Sequence, residues 1–258
     1  MEEMPYKKLL LESNILLHIP HASLNIPPDD RGYFLLDDRA LEKEKLAMTD
    51  LHMDLMCESI KANMLIADIS RLVVDMERYV DDSKEAMARY GMGVVYTASH
   101  DGSPLRNVQG DYKAVLISKY YKPYHNELKT MCEDIVRRHG KCIIVDMHSF
   151  PTEPVSGVNY SEELPEICIG LNGEENSLAA SARLYFEAKG YGVRMNYPYS
   201  GSIVPSGLDV LLAGNVESIM IEINRSLYMD EATGALTEGF DKIRKNIHDF
   251  FTIFLNDE

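Results

Sequence analysis

The chain has 258 residues, a formal net charge of -15 and four cysteines. Its length suits a single α/β domain spanning 1–258 with a substantial core, and so acidic a surface argues against nucleic acid or an anionic membrane as partner. Cys57, Cys132, Cys142 and Cys168 are too scattered for a disulfide frame or a thiolate zinc site. The mixed charges of Met1 to Lys8, with only a short apolar run behind them, give neither a secretory leader nor a membrane span, so the expected location is the cytoplasm.

Asn14 to Ser23 begins as a short apolar strand and runs into a loop that Pro20, Pro27 and Pro28 keep from becoming helix. His18 and His21 stand at its end. His18, inside the apolar run, reads first as a packed core histidine; His21, in the loop, reads first as a site residue. Leu41 to Asn63 has helical composition, and Thr49 can cap a second helix if the first stops near Ala47. On such a helix Asp50 and Asp54 share a face and His52, about 200° from Asp50, points elsewhere. The two carboxylates suit a metal ligand and its hydrogen-bonding partner, or a solvated first turn.

Asn63–Ser70 and Arg71–Arg78 are two β-type runs. Arg71 among apolar residues needs a carboxylate, either Asp75 or one on a ligand. Tyr79 to Gly110 is polar and glycine-bearing, which suggests a long surface excursion such as a lid. Asp111 to His139 is a helix ended by Gly140; its Tyr120, Tyr121, Tyr124, Leu128 and Met131 form a core stripe, and His125 is as readily packed as functional.

Cys142 to Val145 is a strand buried on both faces, and Asp146, His148 and Ser149 follow at its C-terminal end, where open α/β sheets place ligands. If this strand lies parallel and adjacent to the one near His18, imidazoles from both can converge on one ion. Glu166–Gly173 is another strand, Glu174–Lys189 an amphipathic helix and Gly192–Met195 a short strand. The aromatic, glycine-bearing loop of residues 196–205, with Asn196, Gly201 and Ser202, suits closure over a small ligand. Ser218–Arg225 is the last strand, and it buries Glu222 in an apolar run. Burial raises a carboxyl pKa, which is how general bases are tuned. Thr237–Leu255 is an amphipathic helix that packs on the sheet.

Six stretches, in order, resemble the N-formylglutamate amidohydrolase family, whose members finish one route of histidine breakdown by releasing formate and glutamate. They are Ile19–Ala22, Thr49–Asp54, Ser70-Arg71 with Val74–Arg78, Tyr121–His125, Asp146–Ser149, and Glu222–Arg225 with Tyr228–Glu231. The resemblance implies a three-layer α/β/α sandwich with a mixed, mostly parallel sheet, similar to zinc carboxypeptidases, and one Zn2+ held by histidines and a carboxylate. His21 and His148 match the imidazole ligands, and Asp50 or Asp54 the carboxylate. Asp146 would support His148. Glu222 resembles the base that takes the proton of the zinc water and returns it to the departing nitrogen. Arg71 and Arg78 would grip substrate carboxylates, with Asn196, Gly201, Ser202 and Asn224 beside them. The substrate class is a small acidic N-acyl amino acid. Where family members usually carry Asn, this chain carries Glu77, an acid placed to neutralise Arg78.

Three other readings compete. One is a carboxypeptidase-like or other N-acyl amino acid deacylase. Another is an arginase-type two-manganese enzyme, because residues 50–54 fit Asp-x-His-x-Asp; that pattern belongs on a strand end, whereas this run is helical in composition. The last is a non-catalytic binder of acidic metabolites. The composition leaves assembly into a homo-oligomer open.

Overall fold

A computed structural model describes residues 4–156, 158–173 and 175–256. Seven strands form one sheet in the order β1-β3-β2-β4-β7-β5-β6. They are β1 (Tyr6–Leu9), β2 (Ile15–Ile19), β3 (Asn63–Ala67), β4 (Cys142–Phe150), β5 (Ile167–Gly170), β6 (Val193–Met195) and β7 (Val216–Asn224). The central β3, β2, β4 and β7 are parallel neighbours, while β1 and β5 run antiparallel to β3 and β7. The helices are α1 (Pro28–Arg31), α2 (Asp38–Met48), α3 (Met53–Cys57), α4 (Tyr112–Leu116), α5 (Lys122–His139), α6 (Ser177–Ala188), α7 (Val210–Ala213) and α8 (Gly239–Asn256).

Side chains alternate along a strand, and that alternation divides the core in two. Ile15, Leu17, Ile19, Ile143, Val145, Met147, Ile219, Ile221 and Ile223 face a layer containing Met53, Met56, Phe186, Phe240, Ile247 and Phe251. Leu16, Cys142 and Ile144 face the opposite layer, where Tyr124, Leu128, Met131 and Ile135 of α5 cover them. The result is the expected α/β/α arrangement with a mixed, mostly parallel sheet. Along the second face of β4, Cys142 and Ile144 lie under the α5 layer, and Asp146 and His148 follow toward the strand's C-terminal end.

Four segments differ from the sequence expectation. The run from Leu41 to Asn63 is two helices: α2 ends at Met48 with Thr49 as its C-cap, and His52, at φ 69°, precedes α3. Thr49 therefore closes a helix instead of opening one, because the chain must turn there to bring Asp50 NH to the His21 carbonyl, 3.0 Å away. Residues 71–78 are turns, not a strand. Their Leu72, Val73, Val74 and Met76 are buried against the second face, so apolar content there reflects packing without a ladder partner. The excursion at 79–110 is not a purely polar surface loop either, since Met92, Val94, Val95, Tyr96 and Leu105 are buried. The expected helix at 111–139 contains a wide π turn at Ile117–Tyr121 between α4 and α5; Gly140, at φ 79°, ends α5 as expected. Glu174, the expected first residue of the next helix, lies outside the described residues; α6 starts at Ser177, where the Asn176 side chain caps Ala179 NH.

Among the described residues no helix is long and apolar enough to cross a membrane. All four cysteines are buried and unpaired.

Candidate active site

The strand register gathers the polar residues of the second face. His18 lies opposite Asp146, and His148 opposite Glu222. Parallel neighbours put these residues at the same end of the sheet. All of β4 is buried, Asp146 and His148 included, so the strand continues through the polar cluster. It does so because β7 pairs with it as far as Phe150 and Asn224.

His21, two residues beyond β2, points Nδ1 toward Asp50 Oδ2 at 3.7 Å, and His148 Nδ1 stands 3.0 Å from the same oxygen. Each ring is held from behind. His21 Nε2 donates to Asp75 Oδ1 at 2.8 Å, and His148 Nε2 donates to Asp146 Oδ1 at 2.9 Å. Asp75 is held in turn by Tyr96 OH at 2.5 Å and by Nε and Nη2 of Arg71 at 3.2 and 2.9 Å. Asp50 is held by Arg225 Nη2 at 3.1 Å, and Arg225 also donates to Ser149 Oγ and the Ala47 carbonyl. Carboxylates that fix the far nitrogen of a histidine are the usual support of a metal-binding imidazole.

The electrostatics follow from burial and pairing. Burial opposes ionisation of Asp50, but the His148 hydrogen bond and the nearby His21 and Arg225 outweigh it and hold the carboxyl well below the ordinary range. His148 is likewise buried, and the carboxylates of Glu77, Asp146 and Asp50 hold its imidazole well above its ordinary value. Glu222 goes the other way: burial pushes its carboxyl up to about 7, opposed by His148 and reinforced by Asp50 and Glu77. Its Oε2 has no hydrogen-bond partner.

Donor atoms of His21, Asp50 and His148 lie within 4.8 Å of one another. Tetrahedral zinc with bonds of about 2.0–2.1 Å spaces its ligand atoms about 3.3 Å apart, close to the 3.0 and 3.7 Å found here. His21 Nδ1 is buried with no hydrogen-bond partner, a costly condition for a polar atom that a metal would relieve. The donor set therefore fits a zinc ion.

These groups line a cavity of about 770 Å³, together with Arg71, Arg78, His125, Asn172, Gly201 and Ser202. A family model for N-formylglutamate amidohydrolase matches residues 13–229. The chain belongs to this family. The crystal structure of N-formylglutamate amidohydrolase from Ralstonia eutropha JMP134 is similar over 98% of both chains, with a TM-score of 0.82 and 22% identity. A gene product from Agrobacterium tumefaciens is similar over 99% of this chain and 96% of its own, with a TM-score of 0.70 and 20% identity. At these identities the likeness establishes the fold. No curated protein matches the sequence.

Within this family member, several expected site residues take other places. Asp54 is exposed on α3, where its carboxylate accepts from Leu55 NH at 2.8 Å; it shares no face with Asp50, which sits in the turn before that helix. His52 faces the Gly234 carbonyl at 2.8 Å, so the Asp-x-His-x-Asp pattern does not assemble. Asn196 is exposed and accepts from Leu171 NH, outside the cavity lining. Asn224 is buried and accepts from Ser226 NH and Oγ. Gly201 and Ser202 do line the cavity. Their loop sits close to β5 because Gly170 has no side chain: a Cβ there would stand 2.5 Å from the Gly201 carbonyl oxygen.

Arg71 is largely committed to Asp75 and Tyr96. Arg78 is freer, with its side chain 25% exposed, Asp75 3.8 Å from its Nε, and that Nε without a hydrogen-bond partner. Glu77 does not pair with Arg78; its Oε2 lies 2.9 Å from His148 Nε2. The start of α5 holds this turn, since His125 Nε2 donates to the Met76 carbonyl and Tyr121 OH to the Arg78 carbonyl. Burial lowers the pKa of His125 to about 4. Tyr96 and Arg225, which hold Asp75 and Asp50, have no assigned role in the sequence reading. Tyr96 sits in a glycine-flanked apolar run that reads as loop, while Arg225, an arginine just after an apolar strand, carried the same signal as Arg71.

Proposed function

We propose that this chain hydrolyses the amide of a small N-acyl amino acid, N-formyl-L-glutamate first among them, at a zinc centre formed by His21, Asp50 and His148. The observation that carries this reading is the meeting of two backed imidazoles and one carboxylate beside a buried glutamate whose Oε2 lacks a partner, in a chain of this family. A zinc ion held there would supply Lewis acidity, polarising the acyl carbonyl and making a water acidic enough to lose its proton near neutral pH.

Glu222 takes the proton from the attacking water and passes it to the amide nitrogen as the C–N bond breaks. A carboxyl lifted to about 7 suits both halves of that transfer. Asp75 and Asp146 keep the two imidazoles aimed through their Nε2 protons, and Arg225 keeps Asp50 in place. Arg78, with donors to spare, binds a substrate carboxylate. Arg71 acts one step back: by fixing Asp75 it orients His21. The cavity volume of about 770 Å³ is of the order expected for a small-molecule site. Asp54, Asn196 and Asn224 have no part in this scheme.

The decisive experiment is formate or acylate release from N-formyl, N-acetyl and N-succinyl amino acids, using protein stripped by chelator and then reloaded with Zn2+. The expected result is metal-restored hydrolysis, fastest on an acidic N-formyl substrate. Hydrolysis that survives removal of the metal overturns the metal centre. Inactivity across the panel, with acidic amino acids bound, turns the reading into a metabolite binder.

A further inference from the structure

The carboxylates around this cavity are not all matched in the same way. Asp50 is paired with Arg225, and Asp75 with Arg71 and Arg78. Asp146 and Glu77 have ion pairs with histidines alone. Among the described residues no arginine or lysine pairs with either of them, although Asp146 is buried and the Glu77 side chain is only 16% exposed, and buried charge persists only when paired or bound to a cation.

Their positions supply the rest of a site. His18 Nδ1 lies 2.7 Å from Asp146 Oδ1 and 3.8 Å from Glu77 Oε1. Donor atoms of these three side chains fall within 4.8 Å of one another. His18 is fully buried, and it is Nδ1 that the ring presents to both carboxylates. Glu77 reaches both ways: Oε1 faces His18, while Oε2 lies 2.9 Å from His148 Nε2 and 3.7 Å from His21 Nδ1. Asp146 likewise stands between His18 and His148.

We propose that His18, Glu77 and Asp146 form a second divalent-cation site beside the zinc centre, with the Glu77 carboxylate spanning the two. The inference rests on the reading of His21, Asp50 and His148 as a metal centre. It differs from the arginase-type pattern, whose His52 and Asp54 lie apart from all these groups. One imidazole with two carboxylates is a harder donor set than two imidazoles with one carboxylate, so it favours Mn2+ more than the first site does. The second cation neutralises Asp146 and Glu77. It leaves the His148 ring fixed from two sides.

The test uses the full chain, stripped by chelator and titrated with Mn2+, with bound metal counted by equilibrium dialysis and elemental analysis and the spin state followed by electron paramagnetic resonance. Wild type is expected to take up two equivalents and to show the broadened spectrum of two coupled ions. His18→Asn and Glu77→Asn are each expected to keep one equivalent with an uncoupled spectrum, and Asp50→Asn to lose the other. Glu77 lies in a turn with its side chain partly exposed, so its variant decides the matter if His18→Asn fails to fold. A wild type holding one equivalent, or a second equivalent retained in Glu77→Asn, overturns the second site and leaves the zinc centre standing: the cluster is then a hydrogen-bonded network. A wild type that binds no metal overturns both.

Discussion

On one face of β4 and β7, Val145, Met147, Ile219, Ile221 and Ile223 pack into a dry layer against α3, α6 and α8. On the other face the same two strands present Asp146, His148 and Glu222 to the cavity. Both faces are buried, yet one is held by apolar contact and the other by paired charge. Apolar contact is non-directional and tolerates rearrangement at some cost in free energy, whereas the charged face works only while each group keeps its partner. On the proposed reading, stability and chemistry fall to alternate residues of a single strand pair, and substitutions at neighbouring positions should separate them.

The largest effect is expected from Glu222→Gln. Loss of the base should lower turnover by about 10²- to 10⁴-fold, measured as product release with the metal site filled. In unsubstituted protein, activity should rise with pH through an inflection set by Glu222, about 7 and lower once a cation sits nearby, because positive charge favours the carboxylate. Stability moves the opposite way. Between its ordinary value of 4.5 and about 7, Glu222 keeps a proton in the native state that the unfolded chain has released, so stability falls as pH rises across that window. Glu222→Gln should remove this cost and raise the unfolding free energy of the metal-free protein above pH 7 by up to about 3 kcal/mol, checked by denaturant melts at pH 5 and pH 8.

One residue earlier, Ile221→Ala should do the reverse. It is fully buried on the apolar face, so about 2–5 kcal/mol of stability should be lost, with kcat unchanged in the protein that remains folded. A fall in kcat as large as that of Glu222→Gln would show that the two faces are not independent. Arg78→Gln is expected to act on binding, raising KM for an acidic substrate about tenfold or more, since a hydrogen bond to a charged group is worth about 1.5–3 kcal/mol; an equal loss on a neutral N-formyl amino acid would remove Arg78 from carboxylate recognition. The smallest effect belongs to Asp54→Asn. With that side chain exposed, stability should stay within about 0.5 kcal/mol and activity unchanged, while Asp50→Asn should lose the metal.

Much of the layout was legible because short buried strands and the polar residues at their ends leave a local mark. The β-branched run before Asp146, the glutamate inside the last strand and the Gly140 stop could be read from a few adjacent residues. The parallel pairing of the strands carrying His18 and His148 enters the sequence reading only as a condition, and the fold meets it. Asp50 is not distinguishable from Asp54 locally, because helical spacing does not hold across the turn at which Asp50 NH meets the His21 carbonyl. Glu77 adjoins Arg78 in the chain, yet its carboxylate turns to histidines far away in sequence. Tyr96 was hidden in a segment that looked polar as a whole.

That the central strands are buried on both faces, and that imidazoles and carboxylates collect at their ends, follows from adjacent residues, where periodicity and burial are written. Folding alone sets which carboxylate faces which imidazole, that Arg71 binds Asp75 closely while Arg78 Nε stays 3.8 Å from it, and that His18, Glu77 and Asp146 form a cluster of their own. Those pairings depend on the direction of individual side chains across contacts between distant segments, and no local pattern encodes them.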